Sequence, residues 1–346
     1  MIIDKKKLLF ELECVMPGIA TKETIEQATC FVFKNNTVMT YNDEIACQQT
    51  SSLPFEGAVK ALPLISILRK LTEKEIDVSV VDENIVIKGK RKTINIIKEA
   101  GIKLPVNSIE KPEKWKVLPD IFIKAISLVG PCASKDATKF VLTCVNITKH
   151  WVEACDGFQA TRYLLDMDIK KSLLIRAVSI KYILSLDMIK YSETENWFHF
   201  KNAAGLILSC RKWTEEFPDI SDILKTKGTP IKFPTSIIKA IDKAQVFSLE
   251  NVDENQIDII IDNGKLIVEG NGVSGKYREL SKIDFKRSYV AFKIEPAMLV
   301  NLIKQNNECQ ITEQHLVIRF SNYTYITVMD ALKTTEKKSK KKAKKK

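Results

Sequence analysis

Three stretches of the chain follow one plan at a steady spacing, and this repetition limits the possible folds more than any other feature. They span residues 10–23, 122–136 and 237–248, and each combines a short amphipathic helix with a polar loop that leads into strands. Lys22 and Lys135 lie 113 residues apart, and Phe122 and Ile237 lie 115 residues apart. Because a fixed internal period indicates tandem structural units, the sequence predicts three domains of similar architecture.

A second helix is predicted inside each repeat, at residues 63–70, 179–186 and 296–303. Apolar residues recur there at spacings of three and four, as in a helix that packs one face against a core. Pro63 and Pro296 suit the first turn of a helix, where a missing backbone N–H costs nothing. Each repeat therefore carries two helices.

Alternating apolar residues on either side of short polar turns predict hairpins within residues 76–88, 197–208, 257–268 and 316–328. The third has Asn263-Gly264 at its turn, the strongest short hairpin signal. Two helices with a majority of antiparallel strands give an α+β fold in which helices cover one face of the sheets. The predicted domains are residues 1–112, 113–228 and 229–332, followed by a tail at 333–346.

The positive charge of the chain is concentrated in this tail. The whole chain has 54 Lys and Arg against 43 Asp and Glu, a net of +11. Residues 333–346 contain nine lysines and one glutamate, a local net of +8, so the remainder carries only +3. Like charges with nothing to bury predict a disordered tail. It is either an electrostatic arm or a solubilising appendage.

The composition gives no sign of a metal, a cofactor or a membrane segment. The chain has eight cysteines without any CxxC pair and only three histidines, which argues against a zinc site. In strand-like surroundings the cysteines are expected to be small buried residues in a reducing compartment. The start does not resemble a signal peptide, and no apolar stretch is long enough to span a membrane. The cytoplasm is the expected location.

Motifs for catalysis or nucleotide binding are missing. Residues 270–275 fit G-x-G-x-x-G, but strand-like residues follow them, whereas a dinucleotide site needs a helix there. Asp156 and Asp219 each neighbour a glycine or a proline, where an aspartate usually caps a turn. These observations favour a protein that is not an enzyme and that needs no cofactor.

Three segments resemble one family in the right order. Residues 153–160 resemble the A-T-D-G-H-R-L motif of the bacterial DNA polymerase III beta subunit, the sliding clamp. Residues 213–220 resemble its G-K-F-P-D-Y segment, and residues 325–329 resemble its terminal Y-V-V-M-P-M. The resemblance covers about residues 8–332 and agrees with the threefold repeat.

This resemblance implies a ring. Two crescent-shaped subunits of such a clamp close head to tail into six domains around duplex DNA, and the homodimer tethers a polymerase without catalysis of its own. Basic residues on the helices and loops would attract phosphates without reading the sequence. A solvated helix face is the alternative for each of them. The candidates are Lys22, Lys135, Arg69, Lys124, Lys181 and Lys239.

The family also holds short peptides of the replicative polymerase and the clamp loader in an apolar groove. Two departures bear on the peptide preference: the family's His-Arg pair is Phe158-Gln159 here, and Asp330 replaces a proline. The groove is expected to lose a cationic edge and to gain an aromatic one. The matching positions are Val141, Cys155, Gly157, Phe158, Gln159, Ala160, Pro218, Ile223, Thr327 and Met329.

Apolar positions matching the family's subunit interface are Ile94, Ile96, Val246 and Phe247. Ordinary core packing is the alternative for these four. Three other functions stay open at this point. They are a clamp-fold adaptor without a ring, a sequence-independent nucleic-acid-binding protein, and an enzyme acting on DNA. The low aromatic content, 8%, disfavours a single-strand binder, which needs stacking side chains.

Overall fold

The computed structural model describes residues 1–250, 255–285, 289–312 and 314–328, which form an α+β structure. The lysine-rich tail and Met329 lie outside this part of the chain. The α-helices of the described residues are α1 (Lys5–Cys14), α2 (Ala61–Lys70), α3 (Asp120–Val129), α4 (Ile180–Ser185), α5 (Ser221–Leu224), α6 (Ile237–Ser248) and α7 (Pro296–Gln305).

The strands occupy most of the remaining described sequence. The first twelve are β1 (Ile2–Asp4), β2 (Cys30–Lys34), β3 (Thr37–Tyr41), β4 (Ile45–Thr50), β5 (Gly57–Lys60), β6 (Glu75–Val81), β7 (Asn84–Gly89), β8 (Lys92–Ile97), β9 (Lys116–Val117), β10 (Cys144–Ile147), β11 (Trp151–Cys155) and β12 (Gln159–Leu164). The others are β13 (Leu173–Arg176), β14 (Met188–Glu193), β15 (Trp197–Asn202), β16 (Ile207–Arg211), β17 (Thr229–Lys232), β18 (Ile257–Asp262), β19 (Lys265–Asn271), β20 (Lys276–Lys282), β21 (Val290–Ile294), β22 (Glu308–Ile311), β23 (His315–Phe320) and β24 (Tyr323–Val328).

The element order repeats three times. A strand, a helix, four strands, a second helix and three strands follow one another in β1–β8, in β9–β16 and in β17–β24. Among the α-helices of the described residues, only the one-turn helix α5, between β16 and β17, stands outside the scheme. The two long helices of each repeat pack against each other, α1 on α2, α3 on α4 and α6 on α7. The threefold plan predicted from the sequence is therefore confirmed in the order of the elements.

Strand pairing also repeats, and neighbouring strands in the first and third repeats run antiparallel. The first repeat forms the orders β5–β2–β3–β4 and β1–β6–β7–β8, and the third forms β21–β18–β19–β20 and β17–β22–β23–β24. The last strand of a repeat then pairs with the fourth strand of the repeat before it: β16 pairs with β4, and β24 pairs with β12. Strands from successive repeats thus share a hydrogen-bonded ladder.

By compactness the chain separates into two units. Unit 1 contains Met1–Gly130, Thr138–His150 and Leu165–Phe217, and unit 2 contains Pro131–Ala137, Trp151–Leu164 and the chain from Pro218 onward. Large buried aromatic side chains fill both cores, including Phe122 and Phe198 in unit 1 and Phe292 and Tyr325 in unit 2. The division into three domains at 112 and 228 stays a prediction.

The predicted second helices and hairpins are present. Helices α2, α4 and α7 coincide with the predicted segments to within a few residues, and each predicted hairpin is an adjacent strand pair. Asn263 and Gly264 have φ of 47° and 76°, the left-handed values that this turn requires. Helix α1 differs: it begins at Lys5, because Asp4 Oδ1 accepts a hydrogen bond from Lys7 N at 2.8 Å and caps the helix. The predicted segment starting at residue 10 contains only its second half.

The G-x-G-x-x-G match has a packing role. Helix α6 buries Ala240, Ile241 and Ala244 at helical spacing against β18, β19 and β20. A Cβ on Gly270 would lie 2.0 Å from the carbonyl oxygen of Ala244, so the helix lies directly on the strand backbone. Strand β20 follows these glycines. This confirms that the motif is not a dinucleotide-binding turn.

All eight cysteines are free and buried, as predicted. Burial raises the pKa of Cys210 to about 12 and the pKa of Cys144 to about 11. Such thiols stay protonated at neutral pH and are therefore poor nucleophiles. Within the described ranges, no helix has the length and apolar character needed to cross a membrane.

One fully buried glutamine anchors the segment after β8. Gln27 donates from Nε2 to Glu99 Oε2 at 2.8 Å and to the carbonyl of Gly101 at 2.7 Å. Its Oε1 accepts from the backbone N–H groups of Lys103 and Leu104 at 2.8 and 3.2 Å. All hydrogen-bonding positions of this amide are thus used to fix one segment over the sheet.

We predict that Gln27→Ala lowers the free energy of unfolding by about 2–3 kcal/mol, because buried backbone donors lose their acceptor. Urea unfolding followed by circular dichroism measures the change. Gln48→Ala, at a half-buried glutamine on β4, is the matched control and should change stability by less than half as much. Equal effects would contradict the role assigned to Gln27.

Candidate functional site

The turn between β11 and β12 directs an aromatic side chain into solvent. Asp156 Oδ1 accepts from the N–H groups of Phe158 and Gln159 at 2.8 and 2.9 Å, which confirms the predicted turn cap. Gly157 adopts φ of 97°. The turn leaves Phe158 71% exposed, so a large aromatic side chain is accessible at this point of the surface.

Pairing of β12 with β24 brings distant residues to this turn. Gln159 lies opposite Thr327, and Ala160 lies opposite Ile326. The carbonyl of Phe158 accepts from the N–H of Val328 at 2.8 Å, and Val328 is itself 41% exposed. Two accessible apolar side chains, 170 positions apart in the sequence, therefore lie at the end of one ladder.

The other groove candidates on these strands are held firmly. Gln159 donates from Nε2 to Asp156 Oδ2 at 2.9 Å and accepts from the hydroxyl of Tyr325 at 3.0 Å. Cys155 and Ala160 are buried opposite each other, and burial raises the pKa of the Cys155 thiol to about 11. The strands thus supply a hydrogen-bonded base beside Phe158.

Helix α5 packs against both β12 and β24. Asp219 Oδ1 accepts from Ser221 N at 2.8 Å, as predicted for a capping aspartate, and the Ser221 hydroxyl and amide lower the pKa of this carboxyl. Ile223 on this helix is 38% exposed, and Pro218 just before it is exposed. The helix therefore adds an accessible apolar residue beside the two strands.

Two arginines hold α5 in place. Arg162 forms a buried ion pair with Glu153, at 2.6 Å between Nη2 and Oε2, and donates to Ser221 Oγ at 3.2 Å. Arg319 donates from Nη2 to the carbonyl oxygens of Leu224 and Thr226 at 2.6 and 2.7 Å. One end of the helix is thus bonded to β12 and the other to β23.

The structure brings most of the groove candidates together within unit 2. Val141 belongs to unit 1, where it is half-buried in a 3₁₀ helix, Phe140–Thr143. Met329 lies outside the described residues. Sequence reasoning missed Val328 and Arg319; the signal for Arg319 was a lone charge inside an apolar strand. The candidates that share two paired strands, their turn and the segment of α5 are Cys155, Gly157, Phe158, Gln159, Ala160, Thr327, Ile223 and Pro218.

The same turn occurs in unit 1, between β3 and β4. Asn42 Oδ1 accepts from the N–H groups of Glu44 and Ile45, as Asp156 does in unit 2. Asp43 has φ of 77° at the position of Gly157. The carbonyl of Glu44 accepts from Arg211 N at 2.8 Å. Glu44 and Arg211 are therefore the counterparts of Phe158 and Val328.

Charged side chains occupy this unit 1 copy. Arg211 forms an ion pair with Asp43 and lies over the ring of Trp213. Glu44 faces Arg176 at 3.7 Å between Oε1 and Nε. The unit 1 turn therefore presents paired charges at the two positions where the unit 2 turn presents accessible apolar side chains.

The turn between β19 and β20 stands at the equivalent place in the third repeat. Gly272 N donates to the carbonyl of Gly275 at 2.9 Å, and Asp156 N donates in the same way to the carbonyl of Gln159 at 3.1 Å. The residue that corresponds to Phe158 in this copy is Ser274. Among these three turns, the aromatic side chain is found at the junction of β12 and β24.

The basic candidates all lie at the surface, where a phosphate can reach them. Arg69 already pairs with Glu13 across α2 and α1 at 2.8 Å, and Lys181 Nζ lies 4.6 Å from the ring centre of Tyr182. Lys22 lines a surface depression that also contains Tyr182. The exposed lysines at 124, 135, 181 and 239 are spread over both units.

In unit 2, Lys239 lines a shallow cleft between α6 and α7 together with Lys304 and Asp242. Two cations thus lie on adjacent helices of one pair. Among the described residues, no group of three or more His, Cys, Asp or Glu side chains could hold a metal ion.

The interface candidates occupy two sheet edges. Ile94 and Ile96 are half-buried on β8, which is an edge strand of its sheet. Val246 is 63% exposed near the end of α6, and the Phe247 ring packs beside Gly275 in the turn before β20, an edge strand of the other four-stranded sheet. Each pair thus lies next to an edge strand.

We predict that Gly157→Ala lowers the free energy of unfolding by about 1–2 kcal/mol, because its positive φ strains a residue with a Cβ. A Cβ there would meet no atom within 4 Å, so the cost is conformational only. Gly157→Asn should cost less, since asparagine adopts positive φ more readily. Urea unfolding compares the two variants, and equal losses would contradict this interpretation.

Solved sliding clamps share this fold along almost the whole chain, although neither a protein-family model nor a curated protein sequence matches it. The sliding clamp (DNA polymerase III subunit beta) of Pseudomonas aeruginosa bound to griselimycin gives a TM-score of 0.77 at 13% identity, covering 96% of this chain and 99% of that one. The DNA polymerase III beta subunit of Thermotoga maritima gives 0.76 at 14% identity, covering 96% and 99%. The beta chain of Streptococcus pneumoniae gives 0.76 at 15%, covering 95% and 98%. The chain therefore has the fold of the bacterial DNA polymerase III beta subunit, the DNA sliding clamp.

Proposed function

We propose that the chain is a DNA sliding clamp, a processivity factor that encircles duplex DNA as a homodimeric ring. The observation that carries the proposal is the agreement in fold with solved sliding clamps over 96% of the chain. The proposed domains are residues 1–112, 113–228 and 229–332, each corresponding to one repeat of the element order. A clamp of this kind acts by topology and has no catalytic step.

The repeats themselves support closure of a ring. Strand β4 pairs with β16, and β12 pairs with β24, so each junction joins equivalent strands of successive repeats. The equivalent strands left over are β20 of the third repeat and β8 of the first, both at sheet edges. Since exposed edges favour pairing with another chain, β20 of one copy and β8 of another form the third junction.

Equivalent positions in the three repeats predict which residues meet at this junction. On β8, Ile97 corresponds to Arg211 and Val328, because each of the three lies opposite the first residue of the preceding strand. In the turn before β20, Ser274 corresponds to Glu44 and Phe158. We therefore expect the carbonyl of Ser274 to accept from Ile97 N of the second copy. Ile97 is 74% exposed in the single chain, which leaves it accessible for such a contact.

The apolar candidates fit the same junction. Ile94 and Ile96 lie on β8, and Val246 and Phe247 lie at the end of α6, beside the turn that precedes β20. Exposed Leu280 on β20, 54% accessible, adds apolar area. Burial of such side chains between subunits stabilises a dimer through the hydrophobic effect.

Duplex DNA would be held through its phosphates. Phosphate contacts position DNA without reading its sequence, which suits a ring that must slide. The lysine-rich residues 333–346 would add further counterion-releasing contacts. The proposed contacts within the fold, all of them exposed, are Lys22, Lys135, Arg69, Lys124, Lys181 and Lys239.

The accessible apolar side chains Phe158 and Val328, with Ile223 on the adjacent helix α5, form the proposed docking site for short peptides of a replicative DNA polymerase and a clamp loader. Short linear peptides bind in preformed apolar sites with a few placed polar groups, and Gln159 and Thr327 provide such groups here. Replication places this protein with the DNA of the cell, which in a bacterium is cytoplasmic.

We predict that the protein stays on circular DNA and slides off the same DNA once it is linearised, when loaded in the presence of a clamp loader. Ile97→Asp should lower both this retention and the dimer fraction in sedimentation, because a charge would be desolvated at the junction. Ile2→Asp is the matched control, since Ile2 is 72% exposed on β1, the opposite edge strand of the same sheet.

A wild-type protein that is monomeric at micromolar concentration would support the adaptor without a ring. Equal retention on circular and linear DNA would instead support ordinary sequence-independent binding. Nuclease activity with magnesium would favour the hypothesis of an enzyme.

We also predict that Phe158→Ala weakens capture of a fluorescein-labelled peptide carrying adjacent leucine and phenylalanine residues by at least about tenfold, about 1.4 kcal/mol. Loss of a large apolar contact in a peptide site typically costs this much. Glu44→Ala, at the equivalent position in unit 1, is the matched control and should leave the anisotropy titration unchanged. Equal loss in both variants would contradict a single site at Phe158.

A further inference from the structure

Helix α5 is too short to hold its own position. It has four residues, Ser221–Leu224, which is a single turn. Isolated helices of this length are unstable because nucleation is not repaid by further hydrogen bonds. Its place beside β12 and β24 therefore depends on tertiary contacts, namely the burial of Leu224 and the side chains that bond to the helix.

Arg319 restrains the C-terminal end of this helix. Its Nη2 donates to the carbonyl oxygens of Leu224 and Thr226, and its Nη1 donates to Gln310 Oε1 at 3.2 Å. Gln310 Oε1 in turn accepts from Gly228 N at 3.1 Å. One guanidinium on β23 thus fixes the helix end and, through Gln310, the chain that leaves it.

Arg162 restrains the N-terminal end. It is oriented by the ion pair with Glu153 and by the ring of Trp151, which lies 4.4 Å from its guanidinium carbon. From there it donates to Ser221 Oγ at 3.2 Å. Because the Arg162 side chain is only 15% exposed and its partner Glu153 only 5%, this contact is shielded from solvent and from salt.

We propose that Arg319 and Arg162 are positioning residues of the peptide site, acting through α5 to hold Ile223 beside β12 and β24, the strands that carry Phe158 and Val328 to the site. The inference rests on the proposed function, since it concerns the same docking site. Neither arginine contacts the peptide itself. They hold α5 in place before the peptide arrives, so less conformational entropy is lost on binding. A preorganised site therefore binds more tightly than a mobile one.

The test is a double-mutant cycle between Arg319 and Ile223, read by fluorescence anisotropy of the labelled leucine–phenylalanine peptide on the full-length chain. Arg319→Ala alone should raise Kd about tenfold. In an Ile223→Ala background, the same substitution should raise Kd by less than about twofold, because the residue that Arg319 positions is already gone. Arg319→Lys, which keeps one donor toward the carbonyls, should recover part of the affinity.

Gln27→Ala is the control for a general loss of stability. It is expected to destabilise unit 1 without a contact to α5, so Kd should stay unchanged. Amide hydrogen exchange of residues 221–226 without peptide should be faster in Arg319→Ala than in the wild type. Arg162→Ala should give the same pattern of faster exchange and weaker binding.

If Arg319→Ala raises Kd by the same factor in the wild type and in the Ile223→Ala background, the positioning role is wrong. Unchanged affinity in Arg319→Ala would also contradict it. If the wild type fails to bind the peptide at all, the proposed docking function fails instead. The two failures are therefore distinguishable in one titration series.

Discussion

Unpaired strand edges are the constraint on which the rest of this structure depends. Each repeat forms two groups of four strands. Each group has an edge strand whose outward N–H and C=O groups need partners. Two such pairs are satisfied inside the chain, β4 with β16 and β12 with β24. These junctions set the register that brings Phe158 to Val328, and they determine which strands, β8 and β20, stay at sheet edges.

Local patterns were enough to predict the repeated elements. Helical spacing in residues 63–70 and 296–303, and the Asn263-Gly264 turn, correspond to features that short segments determine by themselves. The start of α1 at Lys5 lies outside the repeated segment that begins at residue 10, because a capping contact by Asp4 sets it. The fold class followed from the elements, whereas the junctions between repeats could not be derived, since they join strands more than 150 residues apart.

The candidate site was predictable to a lesser extent. The turn aspartates 156 and 219 were recognised from their neighbours, and both cap as predicted. Val328 was not among the predicted groove residues, because its place beside Phe158 depends on the register between β12 and β24. Arg319 and Gln27 were also missed, since a polar side chain in the sequence does not indicate which distant segment it bonds to. In these connecting segments, such directional bonds act together with the burial of Leu104 and Leu224 to determine where the chain lies.

The turns of unit 1 and unit 2 share one backbone arrangement but carry different side chains. Asn42 and Asp156 close it with the same bonds, and Glu44 and Phe158 offer the same carbonyl to the neighbouring strand. The backbone hydrogen bonds do not depend on the side chains at these two positions. One turn can therefore carry ion pairs while the other carries exposed apolar side chains. Evolution can therefore change the number of binding sites on such a chain by exchanging a few surface side chains, while every hydrogen bond of the strand ladders is kept.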